Sequence, residues 1–409
     1  MIEVAPSPCA GRPDSTRWIG LNAVPSLTVH ADVMSALEML KDGWTRKSGD
    51  YNLYFGDIHT HSGQVLEATD NRGCGWGSWE SNYLFARGPG GLDFFALTDH
   101  EWQIGPGCEE AYFGLAGAHE VPGQFVCLPA FEHTSLVYGH RNVYFRDQGK
   151  LVNTNRALGG YPSLSPDDNL TPAELWSQLD ASGLGYFTAP HHPSSTSHPF
   201  SWDLFDPNHD RLCEIYSVWG SSDYYGDFPR GVSDRHEGLY IREALARGLR
   251  FGIIASSDGH GGTPGDESSP YPKHPHQFHF CGSGRVVVLA KELTRAAVFE
   301  ALRNRRCYGT TGPPIVLDFR VNGAVMGQEL LASAAPPRMA VRCGGSNGID
   351  QVRLIKNGEV VHTRHCHGEW ETAFEWVDEA YCPGDVACYY VRVVQVDRES
   401  AWSSPVWVG

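Results

Sequence analysis

One local pattern constrains the fold of this chain more than any other: a short apolar run that ends in His, Asp or Glu, repeated along most of the sequence. Its first instance is Tyr51 to Gly63, YNLYFGDIHTHSG, an apolar strand over Leu53–Ile58 that runs into His59-Thr60-His61. Residues i and i+2 of a strand project to the same face, so both imidazoles can enter one space at the strand's end. Two neutral imidazoles converging on one point form a metal-ligand pair. The pattern recurs in Leu92–Leu97 ending in Thr98-Asp99-His100-Glu101, and in Phe125–Phe131 ending in Glu132-His133. His140 precedes the strand Arg141–Phe145. Gly185–Ala189 leads to Pro190-His191-His192-Pro193, and Phe251–Ala255 to Ser256-Ser257-Asp258-Gly259-His260.

Helices are expected between these strands. Trp79–Arg87 is closed by Gly88-Pro89. Thr171-Pro172-Ala173-Glu174 is a capping box that opens a helix to Ala181. Tyr240–Arg247 stops at Gly248, and Arg295–Arg305 follows Thr294. Val33–Trp44 has helical spacing and is expected to pack on the outside of the main domain. Continuous apolar strands alternating with helices imply a parallel sheet covered by helices, an α/β fold. In closed β/α barrels the chemistry sits at the C-terminal strand ends.

From about Pro313 helix signals stop. Ile315–Val321, Arg338–Cys343, Val352–Thr363, Thr372–Trp376 and Cys388–Val396 read as strands, with turn signals at Asn347-Gly348 and Asn357-Gly358. The expected organisation is therefore an N-terminal extension over 1–50, a catalytic domain over 51–313, and an all-β, sandwich-like domain over 314–409. His362, His365 and His367 alternate near one of these strands, but nothing acidic is placed to complete a site with them.

Composition narrows the function. With 32 basic and 48 acidic residues the net charge is −16, and no Lys/Arg run provides the basic patch a nucleic-acid surface needs. No apolar run approaches the roughly 18 residues of a membrane span, and the first residues lack the n- and h-regions of a signal peptide. The eleven cysteines are dispersed without C-x-x-C spacing and read as reduced thiols. These points lead to the expectation of a cytoplasmic protein with a small-molecule substrate and neither nucleic acid nor membrane as partner; they leave the oligomeric state open.

The strand-end set is His59, His61, His100, Glu132, His140, His192, Asp258 and His260. Imidazole and carboxylate ligands suit Zn, Mn or Fe. The set exceeds the needs of one ion, so two or three divalent ions are expected, and with them a hydrolase whose nucleophile is hydroxide generated on the metal. No G-x-S-x-G elbow is present, and Cys74, Cys108 and Cys127 have no cationic neighbour in sequence to activate them.

GDIHTHS, ALTDHE, FEHT, PHHP and SSDGH, in this order, resemble the sequential motifs of the polymerase and histidinol phosphatase (PHP) superfamily; the likeness covers about Asn52–Gly261. It implies a distorted seven-stranded β/α barrel with a two- or three-metal site. His59 and His61 would hold one ion and His100 a second, with Asp99 beside it. Glu132 would bridge ions, His140 and His192 would complete the third position, and Asp258 and His260 would close the set. The family's additional ligand a few residues after H-x-H is not a His here: Glu67 has a suitable offset and Asp70 is the alternative. His191 competes with His192. The Glu214 run EIYSVWG and the closing AWSSPVW resemble a subgroup with a C-terminal β-module, which includes carbaryl-type carbamate hydrolases.

The expected activity is hydrolysis of a small ester. A phosphomonoester is favoured, with Arg141 beside His140 as a phosphate partner. The alternatives are a carbamate, carboxyl ester or amide, with Trp76-Trp79-Tyr83 and Trp219-Tyr224-Tyr225 walling an apolar pocket, or a non-catalytic binding protein with a vestigial site. Asp99, His191 and His133 are candidates for the acid that protonates the leaving group. If Glu67 fills the ligand position, Glu67→Gln lowers bound metal on elemental analysis and Asp70→Asn leaves it unchanged; the reverse pattern moves the ligand to Asp70.

Overall fold

In the computed structural model, strands end where the polar motifs begin. The described residues are 46–63, 74–104, 107–152, 164–195, 200–227, 236–266, 283–332 and 334–409. The helix expected at Val33–Trp44, and both Glu67 and Asp70, lie outside them. The fold is mixed α/β, with several sheets and few helices among the described residues.

The first half contains β1 (Tyr51–Asp57), β2 (Phe94–Phe95), β3 (Val126–Cys127), β4 (Ala130–His133), β5 (Arg141–Phe145), β6 (Tyr186–Pro190), β7 (Leu212–Ser217) and β8 (Gly252–Ala255). β1, β2 and β3 pair in parallel, as do β7 and β8. β4, β5 and β6 pair antiparallel, which departs from the all-parallel expectation. For β4 and β5 the reason is chain length: only residues 134–140 link them, too few for the dozen or so residues of a parallel crossover. The apolar run Phe125–Phe131 is split into β3 and β4 around Pro129, which has no N–H to continue a ladder.

Isolated bridges join these sheets near the motifs. Thr60 pairs with Gly259, His100 with Glu132, and Thr188 with Asp210, all in parallel. Through them β1 meets the end of β8, the end of β2 meets β4, and β6 meets β7. The expected helices form: Trp79–Arg87 is capped by Ser78, and Pro172–Ala181 carries the expected Thr171/Glu174 capping box in full. The other two are slightly shorter than expected, at Ile241–Ala246 and Arg295–Arg303.

The second half continues the same sheet. β9 (Arg285–Ala290) pairs antiparallel with β1, and β10 (Cys307–Thr310) with β9. β10 also pairs with β15 (Ser400–Ser403), so one sheet passes from the motif-bearing strands into the C-terminal residues. β11 (Val316–Val321), β12 (Arg338–Lys356), β13 (Glu359–Val377), β14 (Ala387–Gln395) and β16 (Val406–Val408) complete it. Asn357-Gly358 is the expected turn between β12 and β13, with φ of 50° and 86°. Asn347-Gly348 is not a turn. It lies within β12 at a register shift, where the Gln395 side chain accepts the Asn347 N–H at 3.1 Å and a Cβ on Gly348 would meet the Gly368 carbonyl oxygen at 2.6 Å.

A buried polar cluster fixes the C-terminal strands to the loop after β7. The Asp223 carboxylate accepts from Arg242 Nε at 3.1 Å, Arg392 Nη1 at 3.0 Å, the Tyr390 hydroxyl at 2.7 Å and Trp402 Nε1 at 3.1 Å. Burial would raise this carboxyl, but the Arg242 and Arg392 guanidinium groups outweigh it and lower Asp223 to about 2. Removing one member strands buried charge on the others. Asp223→Ala should therefore cost about 3–5 kcal/mol in denaturant unfolding; a loss under about 1 kcal/mol would show that the cluster does not hold the two halves together.

Candidate metal centre

The extended backbone after β1 carries His59 and His61 into the interior, with Thr60 held against Gly259 between them: the His61 N–H donates to the Gly259 carbonyl at 2.8 Å. The two imidazoles lie with ring centroids 5.3 Å apart. Their Nε2 atoms face the same two carboxylates. His59 Nε2 is 3.3 Å from Glu132 Oε2 and 3.4 Å from Asp258 Oδ1; His61 Nε2 is 3.1 Å from Glu132 Oε2 and 3.2 Å from Asp258 Oδ1. Glu132 is the hub. His140 Nδ1 lies 2.6 Å and His191 Nε2 3.1 Å from its Oε1, and His100 Nδ1 lies 3.6 Å from its Oε2. All of these side chains are buried.

Hydrogen bonds behind the imidazoles fix which nitrogen faces inward. His59 Nδ1–H donates to Glu214 Oε2 at 3.0 Å, leaving Nε2 for the Glu132/Asp258 side. Thr134 Oγ1 donates to Glu101, so it accepts from His100 Nδ1 at 2.7 Å and fixes the orientation of that ring. His260 Nδ1–H donates to the Asp258 carbonyl at 2.8 Å. His192 and Asp258 adopt positive φ, 34° and 48°, which is strained for non-glycine residues and places both side chains at the cluster.

The charge states suit a cation. Burial, reinforced by neighbouring imidazoles, pushes His191 and His260 down to about 4 and His100 well below its usual range, so these rings are neutral. Burial opposes ionisation of Glu132 and Asp258, but the surrounding histidines hold both carboxyls well below the usual range. Burial likewise opposes charging His61, yet Asp258 and Glu132 raise it to about 9. His61 Nδ1 and His191 Nδ1 are buried without a hydrogen-bond partner. Burial also opposes charging His59, but Asp258 and Glu214 raise it well above its usual range. Neutral His100, His191 and His260, two ionised carboxylates and orphaned ring nitrogens form a donor set that fits divalent metal, with His59 and His61 giving up a proton to bind it. The ligand atoms group within 4.8 Å of one another as His59/His61/Asp258, His59/Glu132/His191, His100/Glu132/His140, His140/His191/His192 and His61/Cys74/His100.

The other sequence candidates are placed as follows. His191 and His192 both reach the cluster, and it is His191 that touches Glu132. Asp99 is saturated: its carboxylate accepts Ser62 N–H and Ser62 Oγ–H at 2.6 Å each and Trp79 Nε1–H at 2.8 Å, so it anchors the backbone beside His61. Arg141 is buried with its Nε on Asp210 at 3.3 Å and its guanidinium against Trp176 and Phe200. Burial, then the Arg141 charge, lowers His133 to about 3. Trp79 and Tyr83 lie in the core, whereas the Trp219 ring lies tilted against His192, with centroids 5.4 Å apart. His362, His365 and His367 fall in none of the ligand groups among the described residues; His362 stacks on Trp376 instead. Sequence reasoning missed Cys74 as a site residue and the role of Glu214. Glu214 sits inside an apolar strand, and a buried carboxylate there is itself a signal.

Residues 208–353 match a family profile described as a protein of unknown function (DUF3604). The chain is 31% identical over 385 residues to an uncharacterized protein of Chlamydia pneumoniae, covering 87% of this chain and 57% of that one. It is 28% identical over 392 residues to one from Chlamydia trachomatis, with the same coverages. The chain thus spans little more than half the length of these curated relatives. Among solved structures, a two-domain protein from Bacteroides vulgatus, described as containing a predicted PHP-like metal-dependent phosphoesterase, is similar with 13% identity and TM-score 0.43, over 88% of this chain and 96% of that one. PsfC from Pseudomonas syringae is similar with 16% identity and TM-score 0.35, over 58% and 82%. No described helix is long and apolar enough to cross a membrane.

The geometry yields a direct test. His59→Ala and Asp258→Ala should each lose bound divalent metal while far-ultraviolet circular dichroism is retained, because the apolar strands carry the core. Full metal content in both variants would contradict the assignment.

Proposed function

We propose that this chain is a metal-dependent hydrolase of a small-molecule ester, with phosphomonoesters the favoured substrate class. The observation that carries the reading is the convergence of His59, His61, His100, His140 and His191 on the Glu132 carboxylate, with Asp258 opposite. Two or three divalent ions fit such a set, held by His59, His61, Asp258 and His191 on one side of Glu132 and by His100, His140 and His192 on the other. When bound, such ions polarise a substrate oxygen and lower the pKa of a coordinated water. The order in which strand neighbours meet supports a distorted seven-stranded barrel with these ligands at one end.

The chain's own groups have defined tasks in this reading. Glu132 would bridge the ions; Glu214 and Thr134 orient His59 and His100; Asp99 holds the Ser62 backbone and through it the position of His61. His191 serves as a ligand rather than as the leaving-group acid, because its Nε2 is committed to Glu132. Phosphate recognition is not assigned to Arg141, whose guanidinium is fully buried with its Nε on Asp210. Trp102, stacked 5.3 Å from His100, and Trp219, tilted 5.4 Å from His192, favour a substrate with an apolar portion, which keeps carboxyl esters and carbamates as the second class.

The test is a substrate panel on protein stripped with chelator and reloaded with Mn or Zn. Phosphomonoesters should turn over, activity should vanish with chelator and return with metal, and carboxyl esters and carbamates should be slower. Faster turnover of the latter would reverse the order of substrate classes; no turnover of any ester by metal-loaded protein would overturn the hydrolase reading.

A further inference from the structure

We infer that Cys74 is a thiolate ligand at the His61/His100/His260 corner of the metal centre, which makes that position selective for a softer ion such as Zn. The inference rests on the metal-hydrolase reading above and concerns a residue that no motif in the sequence marks.

The thiol is built into the site. Cys74 Sγ lies 3.2 Å from His260 Nε2, and its ligand atom groups with those of His61 and His100 within 4.8 Å. Since His260 Nδ1–H is donated to the Asp258 carbonyl, the Nε2 lone pair faces the sulfur. His61 stacks between its neighbours, with ring centroids 4.7 Å from His100 and 4.4 Å from His260, and its Nδ1 is buried without a hydrogen-bond partner. Without metal this contact is an S–H···N hydrogen bond, and thiolate with imidazole is the donor combination of Zn sites.

The backbone places the sulfur there. Gly75 N–H donates to the Ser62 carbonyl at 2.6 Å, and Gly63 N–H to the Gly77 carbonyl at 2.8 Å. A Cβ at position 75 would meet the His61 carbonyl oxygen at 2.0 Å, so only glycine lets the two segments approach this closely. The Cys74 N–H donates to Gln103 Oε1 at 3.2 Å, while Gln103 Nε2 donates to the Ser62 carbonyl at 2.9 Å. One glutamine, three residues beyond His100, therefore clamps both the cysteine and the His61 segment.

Thiolate donors favour Zn over Mn and Mg. On ligation the thiol gives its proton to solvent, and Sγ bonds the ion directly.

Co²⁺ replaces Zn²⁺ in such sites and reports its ligands optically. The purified full chain, stripped and loaded with Co²⁺, should show a near-ultraviolet sulfur-to-cobalt charge-transfer band beside visible d–d absorption. Cys74→Ser should lose the band, keep visible absorption from the remaining ions, and bind Zn²⁺ at least about tenfold more weakly, since a direct ligand should matter no less than an outer-shell partner. Alkylation of the wild type with iodoacetamide gives a readout that needs no variant. Zn²⁺ should slow modification of Cys74, read by peptide mass spectrometry against the exposed Cys382. Visible cobalt absorption without the charge-transfer band, an unchanged spectrum in Cys74→Ser, or alkylation indifferent to Zn²⁺ would overturn the thiolate assignment and leave the hydrolase reading standing. Failure to bind Co²⁺ at all would overturn both.

Discussion

The structure around the site depends on one buried carboxylate. Glu132 is almost inaccessible to solvent and is held ionised by the imidazoles around it. An ionised carboxylate in a low-dielectric interior is costly unless matched by positive charge or hydrogen-bond donors. The strands around Glu132 provide that match: β1 through His59 and His61, the end of β2 through His100, the start of β5 through His140, and the end of β6 through His191. The parallel bridge between His100 and Glu132 and the one between Thr60 and Gly259 hold these ends at hydrogen-bonding distance. Strand pairing is thus what creates the electrostatic focus, and the focus in turn suits a cation.

A second buried network has a different role. Asp223, Arg242, Arg392, Tyr390 and Trp402 make a closed set of charges and donors between the loop after β7 and the C-terminal strands. The same loop carries Trp219, whose ring lies tilted against His192. The C-terminal strands therefore connect to the metal centre through a short series of contacts as well as through the shared sheet at β10 and β15. A flexibly tethered accessory module would leave such polar groups at the surface, where they would contribute little.

Much of the site was legible because strand periodicity and strand termination are local. An apolar run followed by His-x-His places two imidazoles together whatever the rest of the chain does, and the same logic located Asp258, His260, Glu132 and His100. The capping box at Thr171 and the Asn357-Gly358 turn were legible for the same reason. What could not be read depends on long-range placement. Asn347-Gly348 has the composition of a turn, but Gln395 and the close approach of Gly368 make it a bulge within a long strand. The antiparallel order of β4 and β5 follows from a short connection rather than from apolar patterning. Arg141 lies beside His140 in sequence, yet its guanidinium points to Asp210. Cys74 gave no spacing signal because the position of its sulfur depends on Gly75 and Gln103 meeting the His61 segment.

In the proposed centre, Glu132 would bridge divalent ions held by the surrounding histidines. Anomalous diffraction from crystals soaked in Mn or Zn tests it most directly, since it locates ions without reference to turnover. The account predicts anomalous peaks on both sides of the Glu132 carboxylate, within bonding distance of His59, His61 and Asp258 on one side and of His100 and His140 on the other. Peaks only at the surface, with Glu132 still hydrogen-bonded to its histidines, would contradict it.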